Sequence, residues 1–187
     1  MVMVQEAYLP MTLFVPDISD AQFQEFCQQY ADFRLEYMGE GELIIMPPTD
    51  PETGYRNALI TASLFNWSKL TAAGRVTDSS AGFVLPSGAR LSPDSAWSST
   101  KRFGQRACPE FVIELLSPSD RPKVTRAKMR EWIENGAELG WMINPATRTV
   151  TVFRPGQEPQ DHVGLDSIAG EGPVAGFVLN LRDIWAI

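Results

Sequence analysis

The chain has 187 residues, 44% of them apolar and 21% charged, and its 16 Lys and Arg against 23 Asp and Glu give a net charge of −7. That length and balance suit one globular domain over residues 1–187 and exclude disordered and collagen-like classes. The acidic balance also weighs against a dedicated nucleic-acid binder, whose affinity comes mostly from phosphate contacts, while leaving room for an enzyme that meets phosphate through a divalent metal.

The opening "MVMVQEAYLP" has no basic segment and carries Glu6 where an apolar run should continue, so no signal peptide is expected. No uncharged apolar stretch approaches the roughly 20 residues of a membrane span. Cys27 and Cys108 stand far apart without a motif around them. Reduced thiols in a cytoplasmic protein are the expectation, with neither a disulfide framework nor zinc.

Within "PDISDAQFQEFCQQYADF", Ser19 or Asp20 reads as an N-cap, and Phe23, Phe26, Cys27 and Tyr30 follow at helical spacing. "RLEYMGEGELIIM" predicts a hairpin turning at Gly39-Glu40-Gly41, ended by Pro47 and Pro48. "ETGYRNALITASLFNWSKLTAAG" predicts the longest helix, with Leu59, Ile60, Ser63, Leu64 and Trp67 on one stripe and Gly74 as its stop. From Arg75 to Ser98 the pattern is short strands and turns, and "TKRFGQRACPE" reads as a surface loop. A strand begins at Phe111, a helix runs from about Arg121 to Asn135 with Gly136 closing it, and two strands, "LGWMIN" and "TVTVFRP", flank a Pro-Ala-Thr-Arg turn. In the tail, Phe177, Leu179 and Leu181 alternate and predict a last strand and turn. Strand, helix and strand at this spacing suggest a right-handed crossover, so the expected class is α/β or α+β with one central mixed sheet flanked by helices.

Three residues stand where local structure disfavours them. Glu114 interrupts the apolar "FVIELL", where an unpaired charge costs several kcal/mol or loses its proton. Asp94 follows a proline in "LSPDSAW". Lys128 falls, at 100° per residue, on the helix arc shared by Met129 and Trp132 rather than with Arg126, Arg130 and Glu134. It lies roughly 10 Å into its helix and Glu114 lies roughly 7 Å back from the strand end, so the two are nearly level. Two carboxylates and an ammonium in one pocket suit Mg²⁺ held near phosphate, with the lysine, its pKa depressed by burial and metal, orienting a water or meeting the developing charge.

Each residue also has a plainer reading. Glu114 also reads as half of a structural ion pair with Lys128 or an arginine, Asp94 as a turn residue, and Lys128 as a side chain snorkelling along its helix. Glu52 is a first-turn acid favoured by the helix dipole, and Ser119 or Asp120 caps the helix that follows. His162 reads as a surface residue, and Trp67, Trp132, Trp141 and Trp185 as core. Trp97 reads as core or as part of a cleft wall.

The ordered set "GELIIMPP", "SPD" at 92–94, "VIELLSPSD" at 112–120, Lys128 and "GWMINP" at 140–145 resembles the PD-(D/E)XK nuclease superfamily, and more closely its Uma-type restriction endonuclease family. The resemblance runs over most of the chain and implies a restriction-endonuclease-like fold. It implies Asp94 and Glu114, joined by the Leu115 carbonyl, as ligands of Mg (or Mn). The superfamily lysine normally stands two residues after the second acid, where this chain has Leu116, and Lys128 matches the Uma-type position on the next helix. Ser117 matches the family pattern as well. An acid from an early element often joins the site: Glu52 is the candidate, with Glu36 and Glu42 competing.

The expected function is a Mg-dependent endonuclease hydrolysing DNA, with Asp94, Glu114, Lys128 and Glu52 as its catalytic residues and a homodimer as a plausible assembly. The alternative is a non-catalytic nuclease-fold module for binding or oligomerisation, favoured by the acidic charge and by the lack of evident base-reading elements. Lys69, Arg75, Arg90, Lys101, Arg102 and Arg106 are candidates for a basic patch.

Overall fold

The computed structural model describes residues 9–72, 74–104 and 107–186. The first elements are β1 (Met11–Phe14), α1 (Asp20–Gln29), β2 (Arg34–Tyr37), β3 (Glu42–Met46) and α2 (Pro51–Thr71). Then come β4 (Gly74–Asp78), β5 (Phe83–Val84), β6 (Arg90–Leu91), β7 (Ser95–Ser99), β8 (Phe111–Leu115) and α3 (Pro122–Glu134). The chain closes with β9 (Leu139–Asn144), β10 (Thr149–Phe153), β11 (Gln160–Val163), β12 (Ser167–Ala169), β13 (Val178–Asn180) and α4 (Arg182–Trp185).

A mixed sheet, ordered β11-β10-β9-β8-β7-β4, forms the centre. Its one parallel pair is β8 with β9, which pairs Glu114 with Met142, and α3 makes the crossover between them. The predicted hairpin does not join this sheet. With β1, β6 and β5 it builds a second, antiparallel sheet ordered β1-β3-β2-β6-β5.

Alternation along β8 divides the interior. Phe111, Ile113 and Leu115 point into one cluster with Ile60 and Leu64 of α2, Trp97, Trp141 and the tail residues Phe177, Leu179 and Leu181. Val112 points the other way, into a cluster with Met129 and Trp132 of α3 and Ile44 of the second sheet. Glu114 shares that second face. One side of the central sheet is therefore a mainly apolar layer, while the other has a carboxylate among its buried side chains.

Helix starts follow their local chemistry. Ser19 caps α1 in a reciprocal box with Gln22, and Asp50 caps α2 through Thr53, with Pro51 at the first helical position. The cap expected at Ser119 or Asp120 is not made: Arg121 is the N-cap of α3 without a side-chain bond, because Pro122 opens the helix and Asp120 closes the preceding turn by accepting Ser117 N–H at 2.7 Å. Gly74 does not stop α2. The helix ends at Thr71 with Ala72 left-handed at φ 52°, and Gly74 begins β4, where a Cβ would overlap the Ser98 carbonyl and the Trp97 ring. The proline- and glycine-rich tail also holds two short strands, β11 and β12, that alternation does not reveal.

Both cysteines are free, and burial pushes the Cys108 thiol up to about 12. Trp97 is core: its indole N–H donates to Ser68 Oγ at 3.0 Å. His162 is half-buried on β11 rather than fully exposed. Among the described residues no helix is long and apolar enough to cross a membrane.

Candidate functional site

Four elements converge on one charged cluster between the two sheets. The hairpin strand β2 alternates, so Leu35 and Tyr37 pack with Phe23 of α1, while Arg34 and Glu36 face the other way, towards the central sheet. Asp94 stands just before β7, Glu114 lies in β8, and Lys128 reaches in from α3. All but Arg34 are nearly inaccessible: the side chains of Glu36, Glu114, Lys128 and Asp94 keep 2%, 5%, 9% and 10% of their exposure, against 30% for Arg34.

Lys128 is the hub. Its Nζ donates to Glu36 Oε1 at 2.8 Å and to the Ser92 carbonyl at 2.8 Å, and it lies 2.8 and 2.9 Å from the two oxygens of Glu114. Trp132, one turn further along α3, donates its indole N–H to Glu114 Oε1 at 3.0 Å. Arg34 donates to Asp94 Oδ1 at 3.2 Å, to Glu36 Oε1 at 3.0 Å and to the Ser92 carbonyl. The other Asp94 oxygen accepts the Leu115 N–H at 2.8 Å, which ties the start of β7 to the end of β8.

Three carboxylates thus face two cations, which leaves the cluster one positive charge short. Glu114 carries that deficit. Burial pushes its carboxyl up, Lys128 pulls it back only part of the way, and the charges of Asp94 and Glu36 raise it further, to about 7. Burial acts against ionised Glu36 as well, but Lys128 and Arg34 outweigh it and hold that carboxyl below its ordinary value. For Lys128, burial is likewise outweighed, by Glu114 and Glu36, so its ammonium is held above its ordinary value. Burial alone therefore does not depress the lysine as expected, because two carboxylates in contact outweigh it; depression by a bound metal is a separate effect.

The cluster forms the inner wall of a cavity of about 250 Å³. Leu115, Ser117, Ser119, Arg121 and Asn57 also line it. Asp94, Glu114, Leu115 and Lys128 are thereby brought together. Glu52 is not: it lies on the surface at the start of α2, 70% exposed and 3.9 Å from Arg56. Glu42 is exposed at the start of β3. Of the three early acids, Glu36 is the one beside Asp94 and Glu114. Arg34 was not foreseen, although its spacing of two from Glu36 on an alternating strand places both on one face. The Ser92 carbonyl leaves no mark in a sequence.

Asp94, Glu114 and a main-chain carbonyl match in kind what a hard divalent cation takes, with neither thiol nor imidazole among them. Among the described residues no group of three or more His, Cys, Asp or Glu is arranged as a metal site. The fit is therefore that of a two-carboxylate site, with Glu36 engaged by Lys128. The candidate basic patch is partly spent on acids: Arg90 pairs with Asp20, and Arg102 lies 3.2 Å from Glu138 and 3.5 Å from Glu110. Arg106 lies outside the described residues.

Comparison with solved structures finds the same architecture in "a putative nuclease belonging to DUF820 from Anabaena variabilis ATCC 29413", with a TM-score of 0.73 at 20% identity, over 81% of this chain and 89% of that one. The fold is thus the restriction-endonuclease-like mixed α+β arrangement expected from the sequence. No curated protein matches the chain. Residues 20–182 match the family Uma2, described as "Putative restriction endonuclease", and the chain belongs to that family.

Proposed function

We propose that the protein is a divalent-metal-dependent nuclease that hydrolyses DNA phosphodiester bonds. The observation that carries this reading is the buried cluster of Asp94, Glu114, Glu36 and Lys128, one positive charge short once Arg34 is counted, on the wall of a cleft. Asp94 and Glu114, with the Leu115 carbonyl, would hold Mg (or Mn), which supplies Lewis-acid activation of a phosphoryl oxygen and of a water.

The remaining work falls to the chain's own groups. The Lys128 ammonium, held above its ordinary value by Glu114 and Glu36 and with its N–H groups directed to Glu36, the Ser92 carbonyl and Glu114, would serve as a fixed positive charge beside the developing charge of the transition state. Glu36 holds that ammonium in place at 2.8 Å, and Trp132 orients the Glu114 carboxylate at 3.0 Å. Ser117, Ser119 and Arg121 offer donors for the phosphate backbone along the cleft.

A pair of such chains would set two sites on opposite strands of a duplex. Support comes from the outward face of α2, where Tyr55 and Phe65 are 56% and 48% exposed.

Calorimetric titration of Mg²⁺ and Mn²⁺ into wild type, Asp94→Asn and Glu114→Gln, followed by cleavage of plasmid DNA, tests the reading. Binding and cleavage by wild type and neither by the variants is the expected result; undiminished cleavage by Glu114→Gln refutes it. One observation favours the alternative of a non-catalytic binding or oligomerisation module: Arg34 and Lys128 already compensate most of the acid charge. Stable complexes without metal binding would mark that outcome.

A further inference from the structure

Arg34 engages one of the two carboxylates proposed as metal ligands, Asp94. Its two terminal nitrogens engage Asp94 Oδ1 and also Glu36 Oε1 and the Ser92 carbonyl, so a guanidinium already neutralises a metal-ligand carboxylate and its neighbours. We infer that Arg34 is a built-in competitor of the divalent ion, filling the cation position when the site is empty and leaving it when metal enters. The inference rests on the metal-dependent reading above.

Charge supports a one-for-one exchange. With Arg34 in place, three carboxylates face two cations; with Arg34 withdrawn they face Lys128 alone, and the balance of two negative charges is what a divalent ion neutralises. Arg34 cannot leave by losing its proton, because a guanidinium stays charged and its acidic neighbours hold it more firmly so. Only another cation can replace it.

Accessibility and hydrogen bonding agree. Arg34 is the member of the cluster with a way out, its side chain 30% exposed and lining the cavity. Its Nε is buried without a hydrogen-bond partner among the described residues, so the inward pose leaves a donor unmet. Swung outward, the fork enters the cleft beside Ser117, Ser119 and Arg121, where a phosphate oxygen could receive it.

The test is calorimetric titration of Mn²⁺, without DNA, into wild type, Arg34→Gln and Arg34→Lys, with near-ultraviolet circular dichroism to verify folding. Removing a competing unit charge at contact distance should tighten Mn²⁺ binding by at least about tenfold in Arg34→Gln. Arg34→Lys, which keeps the charge and loses the fork, should fall between the two, and it carries the test alone if Arg34→Gln does not fold. Binding by the variants equal to or weaker than wild type overturns the inference while leaving the metal site standing, since a merely structural Arg34 would not restrain the metal. No binding by any of the three chains at millimolar Mn²⁺ overturns both.

Discussion

Glu114 makes folding stability depend on pH in a direction opposite to that of most carboxylates. In the unfolded chain it titrates at its ordinary 4.5, and in the folded chain at about 7, so the native state binds the extra proton between those values. The contribution is fully present below pH 4.5 and is lost as pH rises through 7. The displacement corresponds to about 3 kcal/mol. Glu36, held below its ordinary value, acts in the opposite sense but at lower pH, outside this window. Urea denaturation of wild type and Glu114→Gln from pH 5 to pH 8 isolates the effect, because glutamine does not titrate. Wild type should lose about 3 kcal/mol relative to the variant across that range. A wild-type-to-variant difference that stays constant with pH would refute the argument, and would mean that Lys128 fully compensates Glu114.

Replacing Lys128 with Met leaves Glu36 and Glu114 buried without their shared cation, and should cost about 3–5 kcal/mol at pH 8, read from the urea midpoint. Gly74→Ala should destabilise by about 1–3 kcal/mol in a thermal melt, because its Cβ meets main chain and an indole ring. Gly140→Ala should cost less, since the nearest atom is the flexible end of Met129. Glu52→Ala should change stability by less than about 0.5 kcal/mol and leave Mn²⁺ binding intact, because Glu52 is an exposed acid at 3.9 Å from Arg56.

Legibility in the sequence followed the rarity of each residue's surroundings. Glu114 could be read because a carboxylate in "FVIELL" conflicts with everything beside it, and Lys128 because helical periodicity puts a charge among Met129 and Trp132. Glu36 was harder to single out. "RLEY" is an ordinary alternating strand, and its polar face reads as solvent-facing until the second sheet is known to close over the first. Glu52 misled for the converse reason, since an acid in a first helical turn has a local purpose whatever the fold does. The division into two sheets was not legible, because β5 and β6 are two residues each and carry no period. The same shortness hid β12 in the tail.

The cluster joins residues far apart along the chain: Glu36 meets Lys128 across 92 positions and Arg34 meets Asp94 across 60, while Glu114 and Lys128 are only 14 apart. Closing loops of such different lengths implies an order of assembly. The unit from β8 to α3 can bring Glu114 and Lys128 together early, through a local crossover, with water still reaching both. The hairpin then delivers Glu36 and Arg34 as a ready-made pair of opposite charges, so docking the second sheet adds no net charge to the interior. The site is thus among the last parts of the molecule to become dry, and its completion marks the meeting of the two sheets.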